Sequence, residues 1–410
     1  MKLLDSILNS LHLSEDDKKL LKKVFTISFT VCAVIVASAW IIQRVSIKKL
    51  PLLDTADKSS EGDVTALYSK KSNDLLPIDI EAHKFAASQN ADETNLDKTI
   101  KHLLRILSVE RNNREIKLDL ATAYLKGGMY DKAEETLGDL IEEDVSDTLT
   151  DRIMSRYGLT LFYNGKIEAS IAQLEKTLKQ FQDSSKEAYC YLGQVEAAQN
   201  LASAKAEEYL KKSLALDPHY AEAWYQLARY HMGKPQAGED DFNNARKCLQ
   251  KQLEIEPLNP KAHSRLGMVY YYLQKPYLAE KSYKMALALN EYDYNTRYNL
   301  GELYYTLFDD PKKALEQFKK TVSIKNDHAE ANYKIGLIAL ENNQYKEAIR
   351  FFQEAHKHAP HNTRILLQLG VAYEKMEMKN EAVSVYQSIL DLDKLNDVAL
   401  QKLKFLSSRE

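Results

Sequence analysis

Asn299-Leu300-Gly301-Glu302-Leu303-Tyr304, followed by Ala314 and then Phe318, is the stretch on which the fold turns. Its core, a large side chain followed by Gly or Ala, recurs as Leu120-Ala121, Tyr157-Gly158, Leu192-Gly193, Leu227-Ala228, Leu266-Gly267, Leu300-Gly301, Ile335-Gly336 and Leu369-Gly370. Successive small residues stand 34 to 39 residues apart. A second small residue follows each: Ala133, Ser170, Ala206, Ala245, Ala279, Ala314, Ala348 and Ala382. Four residues further on comes a bulky one: Leu137, Leu174, Leu210, Leu249, Tyr283, Phe318, Phe352 and Tyr386. Self-similarity at this period marks a stack of supersecondary units.

Each unit reads as two helices of about a dozen residues, joined by turns such as Asn164-Gly165-Lys166 and Asn342-Asn343-Gln344. The small residues predict close helix approach, and the bulky ones are expected to fill the gap to the neighbouring unit. One pair cannot bury its apolar face, but a stack makes a continuous core. The expected fold is all-α: about eight units over 114–396, a degenerate capping pair over 78–113 and a capping helix over 397–410. With only 13 Gly and 9 Pro in 410 residues, composition agrees with a helical chain.

The pattern resembles the tetratricopeptide repeat family across about 114–396. Trp224-Tyr225-Gln226-Leu227-Ala228 and Asn299-Leu300-Gly301-Glu302-Leu303-Tyr304 come near that family's first-helix signature. Two departures stand out. Glu196 replaces the first-helix tyrosine in the unit from Lys186, and Gly233 to Asp241 is inserted in the unit from Ala221, as a solvated turn or a binding loop. The resemblance implies a right-handed α-solenoid whose first helices line a concave groove that receives peptides.

Helix periodicity puts the residue three before each small residue, and those one and four after it, on the face away from the second helix. The candidate groove set is Tyr225, Arg229, Met268, Tyr271, Tyr298, Glu302, Tyr305, Tyr333 and Leu337. Tyrosine outnumbers phenylalanine 25 to 11, and tyrosines on a surface give large contact area at low entropy cost. Tyr270, Tyr304 and Tyr373 read instead as core. The lysine and asparagine pair with which some members of the family clamp a terminal carboxylate does not appear at these positions.

Near the amino terminus, Val24 to Ile42 is an uncharged run preceded by Lys18, Lys19, Lys22 and Lys23 and followed by Arg44, Lys48 and Lys49. It predicts a transmembrane helix over 24–43, between an amphipathic, basic segment over 1–23 and a polar linker over 44–77. Ala37-Ser38-Ala39 offers a signal-cleavage alternative. The nearly balanced flanking cations lean only weakly towards an exported, periplasmic repeat region on a single-pass anchor.

Chemistry-bearing signals are few. A net charge of −3 gives no reason to bind nucleic acid, and three cysteines exclude a disulfide scaffold or a four-cysteine zinc ribbon. Cys190 and Cys248 read as small buried hydrophobes. His356, His358 and His361 sit at a helix end, where they meet its dipole rather than a metal. No catalytic, cofactor or metal site is expected, and the chain is not expected to be an enzyme. The expected role is a membrane-anchored scaffold, monomeric in its repeat region, that binds proteins or peptide segments while a cell-envelope or secretion complex assembles. The alternatives are a regulatory adaptor, similar to the lipopolysaccharide assembly protein B family but without its paired C-x-x-C motifs, and an organelle import receptor.

Overall fold

The computed structural model describes residues 96–141 and 147–407. Among the described residues there are eighteen α-helices and no strand. After α1 (Leu96–Val109) come α2 (Arg114–Lys126) with α3 (Tyr130–Ile141), α4 (Thr148–Tyr163) with α5 (Ile167–Gln180), and α6 (Lys186–Gln199) with α7 (Ala204–Leu216). Next are α8 (Ala221–Gly233) with α9 (Glu239–Ile255), α10 (Pro260–Tyr272) with α11 (Pro276–Leu289), and α12 (Tyr294–Thr306) with α13 (Pro311–Ile324). Then α14 (Ala329–Glu341) pairs with α15 (Tyr345–His358) and α16 (Thr363–Lys375) with α17 (Lys379–Leu392), before α18 (Asp397–Ser407).

Local sequence explains where these helices start and stop. Asn113, Asp147, Ser185, Asn259, Asp293, His328 and Asn362 stand just before first helices, and their side chains accept hydrogen bonds from free N–H groups of the first turn. Pro276 and Pro311 open α11 and α13, where a missing N–H costs nothing. Within six of the pairs the connecting turn carries a residue at positive φ: Gly128, Gly165, Gln274, Asp309, Asn343 or Glu377.

Two glycines make opposite predictions. Gly165 has φ of +76° and nothing within 4 Å of where a Cβ would lie, so Gly165→Ala should cost about 1 kcal/mol through the backbone alone. Gly138 lies inside α3, with only the Tyr157 ring at 3.9 Å, so Gly138→Ala should gain about 0.5–1 kcal/mol. Urea midpoints moving in opposite directions would bear this out; a shared direction would refute it.

Inside each pair the small residue sits directly under the bulky one. A Cβ added at Gly158, Gly193, Gly267, Gly301, Gly336 or Gly370 would come within 2.5–2.6 Å of Leu174, Leu210, Tyr283, Phe318, Phe352 or Tyr386. The bulky side chain thus fills the space over the glycine of its own pair, and Tyr283 and Phe352 also belong to core clusters that include residues of the next pair. Units are joined by packing of each second helix on the next first helix, and by contacts between several successive first helices, such as α4 and α6.

The segments expected over 1–23, 24–43 and 44–77, and the beginning of the pair expected over 78–113, lie outside the described residues. Among the described residues no helix is long and apolar enough to cross a membrane. The longest, α9, has 17 residues and three acids in its first turn, whereas a span needs about 20 mostly apolar ones. The single-pass membrane localisation, with its transmembrane helix and exported repeat region, is corrected accordingly: no span among the described residues supports it.

Candidate functional site

The surface built by α8, α10, α12, α14 and α16 carries the nine groove candidates, and the structure divides them. Glu302 and Tyr305 belong to a ladder that ties neighbouring first helices together. Lys334 Nζ donates to Glu302 Oε2 at 2.8 Å and lies 5.2 Å from the centre of the Tyr305 ring. Tyr305 Oη donates to Glu341 Oε1 at 2.6 Å. Burial together with this bond pushes the Tyr305 phenol well above its usual range. Tyr271 Oη and Thr306 Oγ1 meet at 3.1 Å, and Arg364 donates to Glu330 Oε2 at 2.9 Å.

Tyr333 is not on a free surface. It is buried, its ring lies against Phe352 at 5.8 Å, and the Arg364 guanidinium covers it at 4.9 Å. Tyr298 stacks on His328 at 5.0 Å and leans on Phe318. Burial lowers the pKa of that histidine. Tyr225 and Leu337 are half-buried against core clusters. Of the nine, Arg229 and Met268 line an open cleft.

That cleft, about 550 Å³, lies among α4, α6, α8 and α10 and the segment after α8. Its apolar wall includes Phe162, Tyr163, Met232, Phe242, Met268 and Tyr272. Phe242 stacks on Tyr272 with centroids 4.7 Å apart. Of the inserted residues, Glu239 to Asp241 form the first turn of α9. Asp241 accepts from the Gly238 N–H at 3.2 Å and from Lys234 Nζ at 2.9 Å, which holds the loop down. Gly233, Lys234, Pro235 and Ala237 thereby become part of the cleft wall.

Sequence reasoning passed over the cations two residues before the small residue: Arg156, Arg265 and Lys334. Their signal was recurrence at that one register, a position outside the face chosen. Arg156 belongs to a buried cluster further back. Its Nε and that of Arg152 each stand 3.7 Å from a carboxylate oxygen of Glu187, and it also donates to Thr122 Oγ1. Burial raises the Glu187 pKa although both arginines pull it down.

No group of three or more His, Cys, Asp or Glu among the described residues is placed to hold a metal ion. His358 Nε2 lies 2.9 Å from Glu354 Oε1, one helical turn back. Cys190 and Cys248 are buried. Burial pushes the Cys190 thiol well up and the Cys248 thiol to about 12. A thiol reagent at pH 8 should therefore label both only after denaturant is added; labelling of either at the native rate of a free peptide thiol would contradict this.

Helix pairs of one period, stacked with small residues under large ones, define an α-solenoid. Two family profiles described as tetratricopeptide repeat match the chain, one at residues 91–157 and 339–404, the other at 158–204 and 308–363, together just over half of it. The chain belongs to the tetratricopeptide repeat family, whose members generally mediate protein–protein interactions. Among curated proteins, the BBSome complex member BBS4 of Bos taurus is 31% identical over 157 residues, 38% of this chain and 28% of that protein. Protein O-mannosyl-transferase TMTC3 of Homo sapiens is 22% identical over 323 residues, 74% of this chain and 34% of that protein. The chain thus spans about a third or less of the length of these relatives. A crystal structure of the APC/C hetero-tetramer Cut9–Hcn1 matches with a TM-score of 0.55 and 16% identity, over 77% of this chain and 59% of that one, a likeness of fold alone.

Proposed function

We propose that this chain is a protein-binding scaffold whose first-helix face receives segments of partner proteins. The observation that carries the reading is the open cleft at Arg229 and Met268, on a face otherwise knitted together by its own side chains. Contacts between several successive first helices, such as α4 and α6, support reading this face as the inner surface of the stack. In this reading the pairs over 114–396 form the binding array, and α1 and α18 close its ends. A relative that is by name a member of a complex supports a role in holding an assembly together. The import-receptor alternative is weakened by the absence of the lysine and asparagine clamp from the first-helix positions.

Site-specific photo-crosslinking tests the proposal. A photoreactive side chain in place of Met268 should capture partner proteins from cells, while one in place of Met285, exposed on the second-helix side at α11, should not. Capture from 285 and none from 268 would move recognition to the outer surface and end this reading.

A further inference from the structure

On most of the first-helix face, cations and carboxylates are matched. Lys334 pairs with Glu302, Arg364 with Glu330, and Arg152 and Arg156 with Glu187. In the cleft this matching stops. Arg229 donates only to the neutral Gln226 Oε1, at 3.0 Å, and Arg265 Nη1 lies 3.6 Å from Met268 Sδ. Among the described residues neither arginine forms an ion pair, and none of the residues lining the cleft is acidic. The third cation there, Lys234, is already held by Asp241 at 2.9 Å.

Two unmatched guanidinium groups beside an aromatic and thioether wall define a mixed recognition chemistry. Guanidinium forks match carboxylates in a bidentate fashion and are less costly to desolvate than ammonium groups. Met232 and Met268 are adaptable contact surfaces, and Phe242 stacked on Tyr272 is a rigid one. A cleft of about 550 Å³ accommodates a few side chains rather than a folded domain. Nucleic acid fits poorly, because its affinity comes from neutralising many phosphates and two free arginines supply little of that.

We infer that this cleft selects a partner segment in which a Phe or Leu side chain is flanked by Asp or Glu. The apolar group seats between Met232, Met268 and Phe242, and the carboxylates meet Arg229 and Arg265. The insertion after α8 confers the selectivity, because it closes one side of the cleft. The inference rests on the first-helix reading above and names the ligand chemistry at one place on that face.

The test is selection of a random twelve-residue phage-displayed peptide library on the full-length chain, followed by affinity measurement of the enriched peptides. Three variants are compared with wild type: Arg229→Glu with Arg265→Glu, Arg229→Lys with Arg265→Lys, and Tyr271→Ala with Tyr305→Ala. Circular dichroism and urea midpoints identify folded variants, and Arg229→Gln with Arg265→Gln replaces the charge reversal if that variant does not fold. Enriched peptides should place an acid beside Phe or Leu and weaken in added salt. They should bind about ten-fold or more weakly to the charge-reversed chain and recover with the lysines. Peptides without that pairing, or unaffected by charge reversal while lost with the tyrosine variant, would overturn this inference and leave the first-helix reading standing. Peptides indifferent to all the variants, or no enrichment at all, would overturn both.

Discussion

Replacing Phe352 with alanine should lower stability by about 3–5 kcal/mol, read as a fall in the urea midpoint. The ring is fully buried among Tyr333, Ala348 and Ala355, and it rests on the bare backbone of Gly336. Truncation therefore removes both the transfer free energy and the contacts across the pair. A partner change sharpens the test. Gly336→Ala alone puts a methyl 2.6 Å from the ring and should cost about 1–3 kcal/mol by overpacking. With Phe352→Ala already present, the same methyl enters vacated space, so the double variant should lose less than the two single changes added together. Strict additivity would mean that Gly336 is not there to make room for the ring.

Arg156→Met should cost about 1–3 kcal/mol at neutral pH, because it leaves the buried Glu187 carboxylate with only the more exposed Arg152 as its ion-pair partner. The Glu187 side chain is 9% exposed and Arg156 is 20% exposed. In the intact cluster, burial already holds the Glu187 pKa above its ordinary value, with Arg156 the stronger of the charges opposing that. Removing Arg156 raises it further. A carboxyl with a raised folded-state pKa binds its proton more tightly when folded, so the penalty is complete above that pKa. It fades as pH falls towards the unfolded value of about 4.3. The gap between wild type and Arg156→Met should therefore be widest near pH 7.5 and narrow towards pH 5. Adding Glu187→Leu should restore much of the loss by removing the poorly compensated buried charge. An equal gap across that pH range would show that Glu187 is not the group responsible.

The repeat could be read from the residues because each unit restates one constraint. Gly301 under Phe318 and Gly336 under Phe352 need the same spacing, and a period seen eight times leaves little choice of fold. That each bulky residue lies directly over the glycine of its own pair was not legible, since periodicity gives a helix face but not the helix opposite. Tyr333 illustrates the same limit. It stands at a groove-facing register, yet Arg364 of the next first helix closes over it. The cleft was half legible: Arg229 and Met268 came from spacing, while Arg265 and Phe242 enter through an irregular turn and a register that spacing did not select. The single-pass reading came from one apolar stretch that lies outside the described residues, and each described helix carries charged side chains within its own turns.

The hydrogen bonds that join neighbouring first helices, such as Tyr305 to Glu341 and Gln194 to Tyr163, bridge 36 and 31 residues. Among the described residues no late segment has to return to an early one, so the loop-closure entropy of each step is that of a short segment. At about 5–20 residues per second, a ribosome takes seconds to release one unit, far longer than a helix pair needs to dock. The nascent chain can therefore finish each pair on its predecessor before the next one emerges, and apolar faces are left open only at the growing end.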